Sequence, residues 1–356
     1  MIKLLHAADF HLDSAFSSLP PIKATQRRTE QRLTLRQLAA ACENCDIVLL
    51  SGDLFEGERI YLDTIEALKE FFASISAQIF ISPGNHDPIT STSPYLCEDW
   101  GENVHIFTKP EIERVRIDAL NCDVYGAAFV SQEQPAILGD FHVLDEGRIN
   151  LMVLHGEIQK DSPYAPILKE QIAGSGLDYL ALGHVHRTMI ERVGQTNYAY
   201  PGCLMGRGFD ECGQKGALRV TVKKGVCDVE FLPLRTRRYE ILRVDVGDDA
   251  LASICAALPQ EHGEDCYRIV LTGESDGLDP ESLYERLAGG FYSLQLVDQT
   301  LPKQELWSAA TEDTLRGHFL RILKQRYDTA TQEQRQHIAQ AAKLVLSIMD
   351  GREVPL

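Results

Sequence analysis

Five short polar motifs, each standing at the end of an apolar run, constrain this chain more than any other feature. They are Asp9-Phe10-His11, Gly52-Asp53, Gly84-Asn85-His86-Asp87, His155-Gly156 and Gly183-His184-Val185-His186. The runs IKLLHAA (2–8), DIVLLSGD (46–53), AQIFISPG (77–84), INLMVLHG (149–156) and LDYLALGH (177–184) are short and apolar and read as buried strands. NVHIF (103–107) and DVYGAAFV (123–130) are further strands. Helical patterns lie between them, in TEQRLTLRQLAAACENC (29–45) and LDTIEALKEFFASI (62–75). This alternation predicts a mixed α/β sheet covered by helices. The carboxyl ends of strands in such a sheet form the crevice where ligands bind. Motifs far apart in sequence can therefore meet in one cleft.

The residue types suit metal ions. Asp9, His11, Asp53, Asn85, His155, His184 and His186 offer carboxylate, amide and imidazole donors. That mixture fits manganese, iron or zinc better than calcium or a thiophilic metal. Two ions held close together need a bridging carboxylate. Asp53, on a central strand, is the natural bridge. His11 and His186 each lie two residues from another candidate ligand, and in extended chain such residues point the same way. Each motif alone has a plainer explanation: a core or surface histidine, a turn, a solvated loop. Their joint occurrence at strand ends favours the metal reading.

Composition and charge bound the rest. Hydrophobic residues make up 44% and charged residues 24%, ordinary for a soluble chain with a real core. No run approaches the roughly 18 apolar residues of a membrane span, and MIKLLHAADFHLD lacks a signal-peptide pattern. A cytoplasmic protein is expected. Nine scattered cysteines do not make a disulfide framework, and Cys42 and Cys45 read as structural thiols. The net charge of −17 opposes general steering toward nucleic acid. Residues 244–301 are the most one-sided, with twelve acidic residues against Arg268 and Arg286. Two basic stretches run the other way: Lys23, Arg27, Arg28, Arg32 and Arg36, then Arg235, Arg237 and Arg238. The first is either a solvated helix face or a phosphate-backbone contact.

Residues 197–234 read as added antiparallel strands, and 236–301 as a second unit of strands and helices. Helices follow over 302–356. Thr329 or Thr331 with Gln332 or Gln334 has capping-box spacing. Ile338, Ala341, Ala342, Val345, Ile348 and Met349 form a stripe that Gly351 stops. The stripe, with Leu315, Phe319, Ile322 and Leu323, serves either internal packing or a partner.

Together, D-x-H, G-D, G-N-H-D, H-G and G-H-x-H resemble the calcineurin-like metallophosphoesterase superfamily. HAADFHLDSAF, SGDLFEG, PGNHD and LALGHVH are similar to its SbcD-type DNA repair exonucleases. HLDS and YPGCLMGRG bring the chain closest to the bacterial YhaO branch. The resemblance covers about residues 1–235. It implies an α/β fold: a metallophosphoesterase β-sandwich flanked by helices (1–235), a small α/β capping domain (236–301) and a helical tail (302–356). It also implies two divalent metal ions, manganese first, with iron or zinc as alternatives. Asp9, His11, Asp53 and His186 would hold one ion; Asp53, Asn85, His155 and His184 would hold the other. His86 would stand near the leaving group, oriented by Asp87, whose competing role is a helix N-cap before Pro88. Arg207 is a candidate substrate contact. DNA and an SMC-like coiled-coil ATPase of the SbcC or YhaN kind are the implied partners, and a homodimer is a further possibility. Glu56 takes a place that such nucleases usually give to Asp or His.

The expected reaction is hydrolysis of a phosphodiester by a metal-activated hydroxide, with His86 as acid. A DNA repair nuclease subunit is the leading reading. A phosphodiesterase or phosphatase for nucleotides or other small phosphate esters is the alternative, favoured by the acidic cap. A regulatory subunit of an SMC-like ATPase is a third, which the full ligand set opposes.

Overall fold

The first strand, β1 (Ile2–Ala7), sends its side chains alternately into two apolar layers. Ile2 and Leu4 enter one core, Leu5 and Ala7 the other, as the two-residue period of a strand requires. The second, β2 (Ile47–Leu50), divides in the same way: Ile47 and Leu49 against Val48 and Leu50. Strands buried on both faces must be covered on both sides, and this sets the architecture. The computed structural model describes residues 1–57, 60–275, 278–301 and 304–349.

After β1 comes helix α1 (Pro21–Ala41), then β2, α2 (Leu62–Ala73), β3 (Gln78–Ile81), a short α3 (Pro94–Cys97), β4 (Val104–Ile106), β5 (Glu113–Ile117) and β6 (Cys122–Gly126). There follow β7 (Ile149–His155), α4 (Lys169–Gly174), β8 (Tyr179–Gly183), β9 (Met189–Val193), β10 (Thr196–Tyr200), β11 (Gly216–Lys223) and β12 (Val226–Pro233). They form two six-stranded sheets, β12-β11-β1-β2-β3-β4 and β5-β6-β7-β8-β10-β9. The sheets share a core of Leu4, Leu49, Phe80, Val124, Leu151 and Tyr179 with their neighbours. The outer face of the first sheet packs on Leu35 and Leu38 of α1 and Leu68, Phe71 and Phe72 of α2. That of the second packs Met152, Leu154, Leu180 and Tyr198 with Ile172 of α4. The fold is thus an α/β sandwich flanked by helices.

Helix α1 begins at Pro21, earlier than the pattern over 29–45 suggests. A proline in the first helical turn loses no hydrogen bond there and has the right φ. Its Arg27 is fully buried, pairs with Glu30 at 2.5 Å and donates to the Gly206 carbonyl at 2.7 Å. Arg237 meets the same Glu30 at 2.9 Å. Arg32 reaches Asp13 at 3.5 Å, and Arg28 lies over the Tyr61 ring. Three of the five basic residues, Arg27, Arg28 and Arg32, are thus engaged within the protein, while Arg36 is exposed.

The segment around NYAYPG differs from expectation. Strand β10 runs parallel to β8, and antiparallel only to β9. A two-residue turn at Gly194 (φ 59°) and Gln195 folds β9 back as the edge partner.

The second unit, Tyr239–Leu356, carries a parallel sheet of β13 (Tyr239–Asp245), β14 (Cys266–Thr272) and β15 (Ser293–Asp298) with α5 (Ala250–Ala257) and α6 (Pro280–Leu287). Its core joins Val244, Ile254, Tyr267, Ile269, Leu271 and Leu283. Helices α7 (Leu315–Thr329) and α8 (Gln332–Met349) form a separate cluster of Trp307, Ala310, Leu320, Ala342 and Leu346. Thr331 and Gln334 exchange hydrogen bonds at 3.1 and 3.4 Å, the reciprocal cap at the start of α8. Of the expected stripe, Ala342 is fully buried, while Ile348 is 59% exposed. Gly351 lies outside the described residues, as do positions 302 and 303 at the start of the expected tail. No described helix is long and apolar enough to cross a membrane.

Candidate metal centre

Each of the five motifs lies at the carboxyl end of its strand, β1, β2, β3, β7 or β8. The turns there are strained. Asp9 (φ 53°), His11 (45°), Asp53 (52°) and His184 (106°) all carry positive φ, a conformation that L-residues avoid unless their surroundings enforce it. Here the loops enforce it on one another. Asp9 N–H donates to Gly52 O at 3.0 Å and His11 N–H to Asp53 O at 2.9 Å. His184 N–H donates to the Asp9 carboxylate at 3.0 Å, and His86 N–H to Asp53 Oδ1 at 2.9 Å.

The side chains converge. Ligand atoms of Asp9, His11 and His186 lie within 4.8 Å of one another, and so do those of Asp9, Asp53 and His155. His11 Nε2 and His186 Nε2 face each other at 3.0 Å. His186 Nε2 is 3.6 Å from Asp9 Oδ1, and His11 Nε2 is 3.7 Å from Asp53 Oδ2. On the other side, His155 Nε2 and His184 Nδ1 lie 2.9 and 3.1 Å from Asn85 Oδ1. His155 Nε2 is also 3.4 Å from Asp53 Oδ2. Asp53 thus stands between two groups of donors.

The electrostatics ask for cations. Asp9 and Asp53 are buried together, and burial raises both carboxyls above their usual range, Asp9 further through Asp53. Burial holds His11, His155 and His184 neutral, with pKa values lowered to about 4. Neutral imidazoles are what a metal binds. His155 Nδ1 meets the Ser51 carbonyl at 2.8 Å. A carbonyl only accepts, so Nδ1 carries the proton and Nε2 offers its lone pair. Two buried carboxylates ringed by lone pairs fit a pair of divalent ions. Gly84 and Gly183 permit the approach: a Cβ would stand 2.2 Å from Asp53 Oδ1 at Gly84 and 1.8 Å from Ser51 O at Gly183.

Asp87 does not orient His86, contrary to the expectation from the motif. Its carboxylate turns inward and accepts from the N–H groups of Asp53 (3.2 Å), Leu54 (2.6 Å), Phe55 (3.2 Å) and Gly84 (2.7 Å), and from the Tyr95 hydroxyl (2.6 Å). Five donors hold it as the anchor of the loop carrying Asp53. Nor does a helix start at Pro88 for it to cap. His86 faces Glu56 instead, Nδ1 to Oε1 at 3.1 Å, and remains 42% exposed. That carboxylate raises its pKa above the usual imidazole value.

Arg207 reaches the centre, but its guanidinium is engaged by protein carboxylates: Nη1 to Glu56 at 2.7 Å and Nη2 to Glu211 at 2.8 Å. Glu211 is a residue that the motifs did not single out. It is 4% exposed and lies 2.7 Å from His186 Nδ1. Its signal in the sequence was weak, an acid four residues after Arg207 in a glycine-rich loop. Tyr164, also unforeseen, tilts against the His184 ring with centroids 4.7 Å apart.

The family model of the calcineurin-like phosphoesterase superfamily domain matches residues 2–225. The chain belongs to that superfamily. It is 29% identical over 314 residues to the uncharacterized metallophosphoesterase YhaO of Bacillus subtilis (strain 168), covering 81% of this chain and 75% of the relative. It is 23% identical over 269 residues to the DNA double-strand break repair protein Mre11 of Aeropyrum pernix, covering 70% of this chain and 64% of that protein. Among solved structures, an archaeal phosphodiesterase aligns over 65% of this chain and all of its own, at 17% identity and a TM-score of 0.36. A phosphoesterase family of this kind implies hydrolase chemistry with divalent metals.

Proposed function

We propose that this superfamily member is a two-metal phosphodiesterase acting on DNA. The observation that carries the proposal is the convergence of donors from five strand ends on the buried Asp9–Asp53 pair. Asp9, His11, Asp53 and His186 would hold one ion, and Asp53, Asn85, His155 and His184 the other. Manganese suits this set first, with iron or zinc as alternatives. When bound, such ions activate water and cancel phosphate charge.

The chain's own residues supply the rest. His86 has Nδ1 committed to Glu56, so Nε2 is the nitrogen left to hand a proton to the departing oxygen. Glu56 raises the imidazole pKa, which favours the protonated form that an acid needs. Asp87 acts at one remove by fixing the loop that presents Asp53. The likeness to a repair protein supports DNA as substrate, as do the SGDLFEG, PGNHD and LALGHVH motifs. On α7 and α8, Leu315 (80% exposed), Ile322, Leu344 and Ile348 leave apolar surface for a coiled-coil ATPase partner. A homodimer through the helices of the first unit belongs to the same reading.

One observation favours a second reading, a phosphodiesterase for small esters. The twelve acidic residues of 244–301 would repel a duplex. Manganese-dependent cleavage of a labelled DNA hairpin, a DNA single strand and bis-p-nitrophenyl phosphate separates the two. The nuclease reading expects DNA cleavage by the wild type and a loss of about 10²–10⁴-fold in His86→Ala. Cleavage of the small diester alone, persisting when an ATPase partner is added, would overturn it.

A further inference from the structure

Behind the donor atoms lies a second arrangement, of which the proposed chemistry uses only Glu56, as the partner of His86. His11 Nδ1 lies 2.8 Å from Glu56 Oε2, and His186 Nδ1 lies 2.7 Å from Glu211 Oε1. Both are the ring nitrogens that face away from the partner imidazole. Arg207 joins the two carboxylates, Nη1 to Glu56 at 2.7 Å and Nη2 and Nε to Glu211 at 2.8 and 3.2 Å. Its own backbone N–H also donates to Glu211 at 2.7 Å. The loop is pinned from outside, because buried Arg27 holds the carbonyl of Gly206. The order is therefore imidazole, carboxylate, guanidinium, carboxylate, imidazole, closed by the 3.0 Å approach of the two Nε2 atoms.

We propose that Arg207 is a positioning residue for the ion expected between Asp9, His11, Asp53 and His186, setting the spacing and tautomer of the two histidines through Glu56 and Glu211. The proposal rests on the two-metal reading above. A carboxylate only accepts, and Glu211 stands nearer His186 Nδ1 (2.7 Å) than the Arg207 Nη2 donor does (3.2 Å), so it draws the proton there and leaves an Nε2 lone pair facing inward; Glu56, 2.8 Å from His11 Nδ1, acts on that ring in the same sense through its charge. A guanidinium is planar, with its donors in a fixed fork, so the separation of the carboxylates is set by a rigid body. A lysine would keep the charge without the fork. Outer partners of this kind orient ligands, and their loss weakens metal binding by about 10–100-fold. The other ion position has no part in the brace: His155 is oriented by the Ser51 carbonyl.

The test is calorimetric titration of the metal-free full chain with manganese, in the wild type, Arg207→Gln, Arg207→Lys and Glu211→Gln. Two binding events are expected in the wild type. In each variant one of them weakens by about 10–100-fold and the other is unchanged. Long-range ¹H–¹⁵N histidine spectra of the metal-free protein give a readout independent of metal and activity. They should place the proton on Nδ1 of His11 and His186 in the wild type and show mixed tautomers in Arg207→Gln. Wild-type affinity at both positions in Arg207→Gln overturns the proposal, as does full recovery in Arg207→Lys. Should Arg207→Gln not fold, Glu211→Gln decides the same question, and unaltered affinity there overturns it. A wild type that binds no manganese defeats the metal reading itself, and the tautomer spectra then judge the brace alone.

Discussion

Asp87 and His6 show how far a residue's role depends on what surrounds it. Asp87 belongs to a motif of metal-site character, yet its carboxylate holds four backbone N–H groups and the Tyr95 hydroxyl. Asp87→Ala leaves those donors unpaired in a dry pocket, where each loss costs about 1–3 kcal/mol. Because the losses share one site, a total of about 3–5 kcal/mol is expected, read as a lower urea midpoint. His6 sits in β1 between the Tyr179 hydroxyl (2.8 Å) and Ser51 Oγ (3.0 Å), fully buried. Burial lowers its pKa from 6.5 to about 3, opposed by the Leu182 backbone. The unfolded chain therefore takes up a proton below about pH 6.5 that the native state refuses until about pH 3. Stability is lost as pH falls through that window, by up to about 1.4 kcal/mol per pH unit from this group. His6→Gln should be less stable at neutral pH but should lose one proton's worth of acid slope, measured by urea titrations across the window.

Strand ends and caps decide the behaviour of whole elements. The centre lies where the end of β2 in one sheet meets the ends of β7 and β8 in the other, and two contacts stitch them there: His155 Nδ1 of β7 to Ser51 O just past β2, and Gly183 of β8 against the same carbonyl. A Cβ on Gly183 would stand 1.8 Å from Ser51 O, a backbone atom that cannot turn aside. Gly183→Ala should cost about 3 kcal/mol or more and weaken manganese binding together with stability, measured by thermal unfolding and calorimetry. This distinguishes it from Arg207→Lys, which should weaken binding alone. In the second unit several acids have structural duties. Asp249 caps α5 and Asp279 caps α6, and Asp298 closes the turn at Thr300. Part of the acidic bias of 244–301 thus serves helix starts and turns. The strand and helix patterns of the sequence were legible because they are local: every motif strand is present, within a few residues of its expected bounds. The start of α1 was not, because Pro21 and Arg27 belong to it for reasons outside periodicity.

At the scale of the molecule there are two units with separate apolar cores, and the candidate metal centre lies within the first. Two thermal transitions are expected, only one of them sensitive to metal. Manganese at a hundredfold excess over its dissociation constant should stabilise the first unit by about 2.7 kcal/mol, a rise of about 5–10 °C for a unit of this size. Chelation should reverse it, and the second transition should not move in scanning calorimetry. The sequence by itself determined the donors and their place at strand ends, since an apolar run that stops at Asp, Asn or His is a local pattern with a local cause. It also carried the family, because those motifs recur in a fixed order. Only the tertiary structure decided which strands share a sheet, and that β10 runs parallel to β8. It turned Asp87 inward and His86 toward Glu56, and it brought Arg207 and Glu211 behind the histidines. These outcomes depend on distances between segments far apart in the chain, and on burial that selects which polar groups must pair. Neither quantity is written in any local spacing of residues.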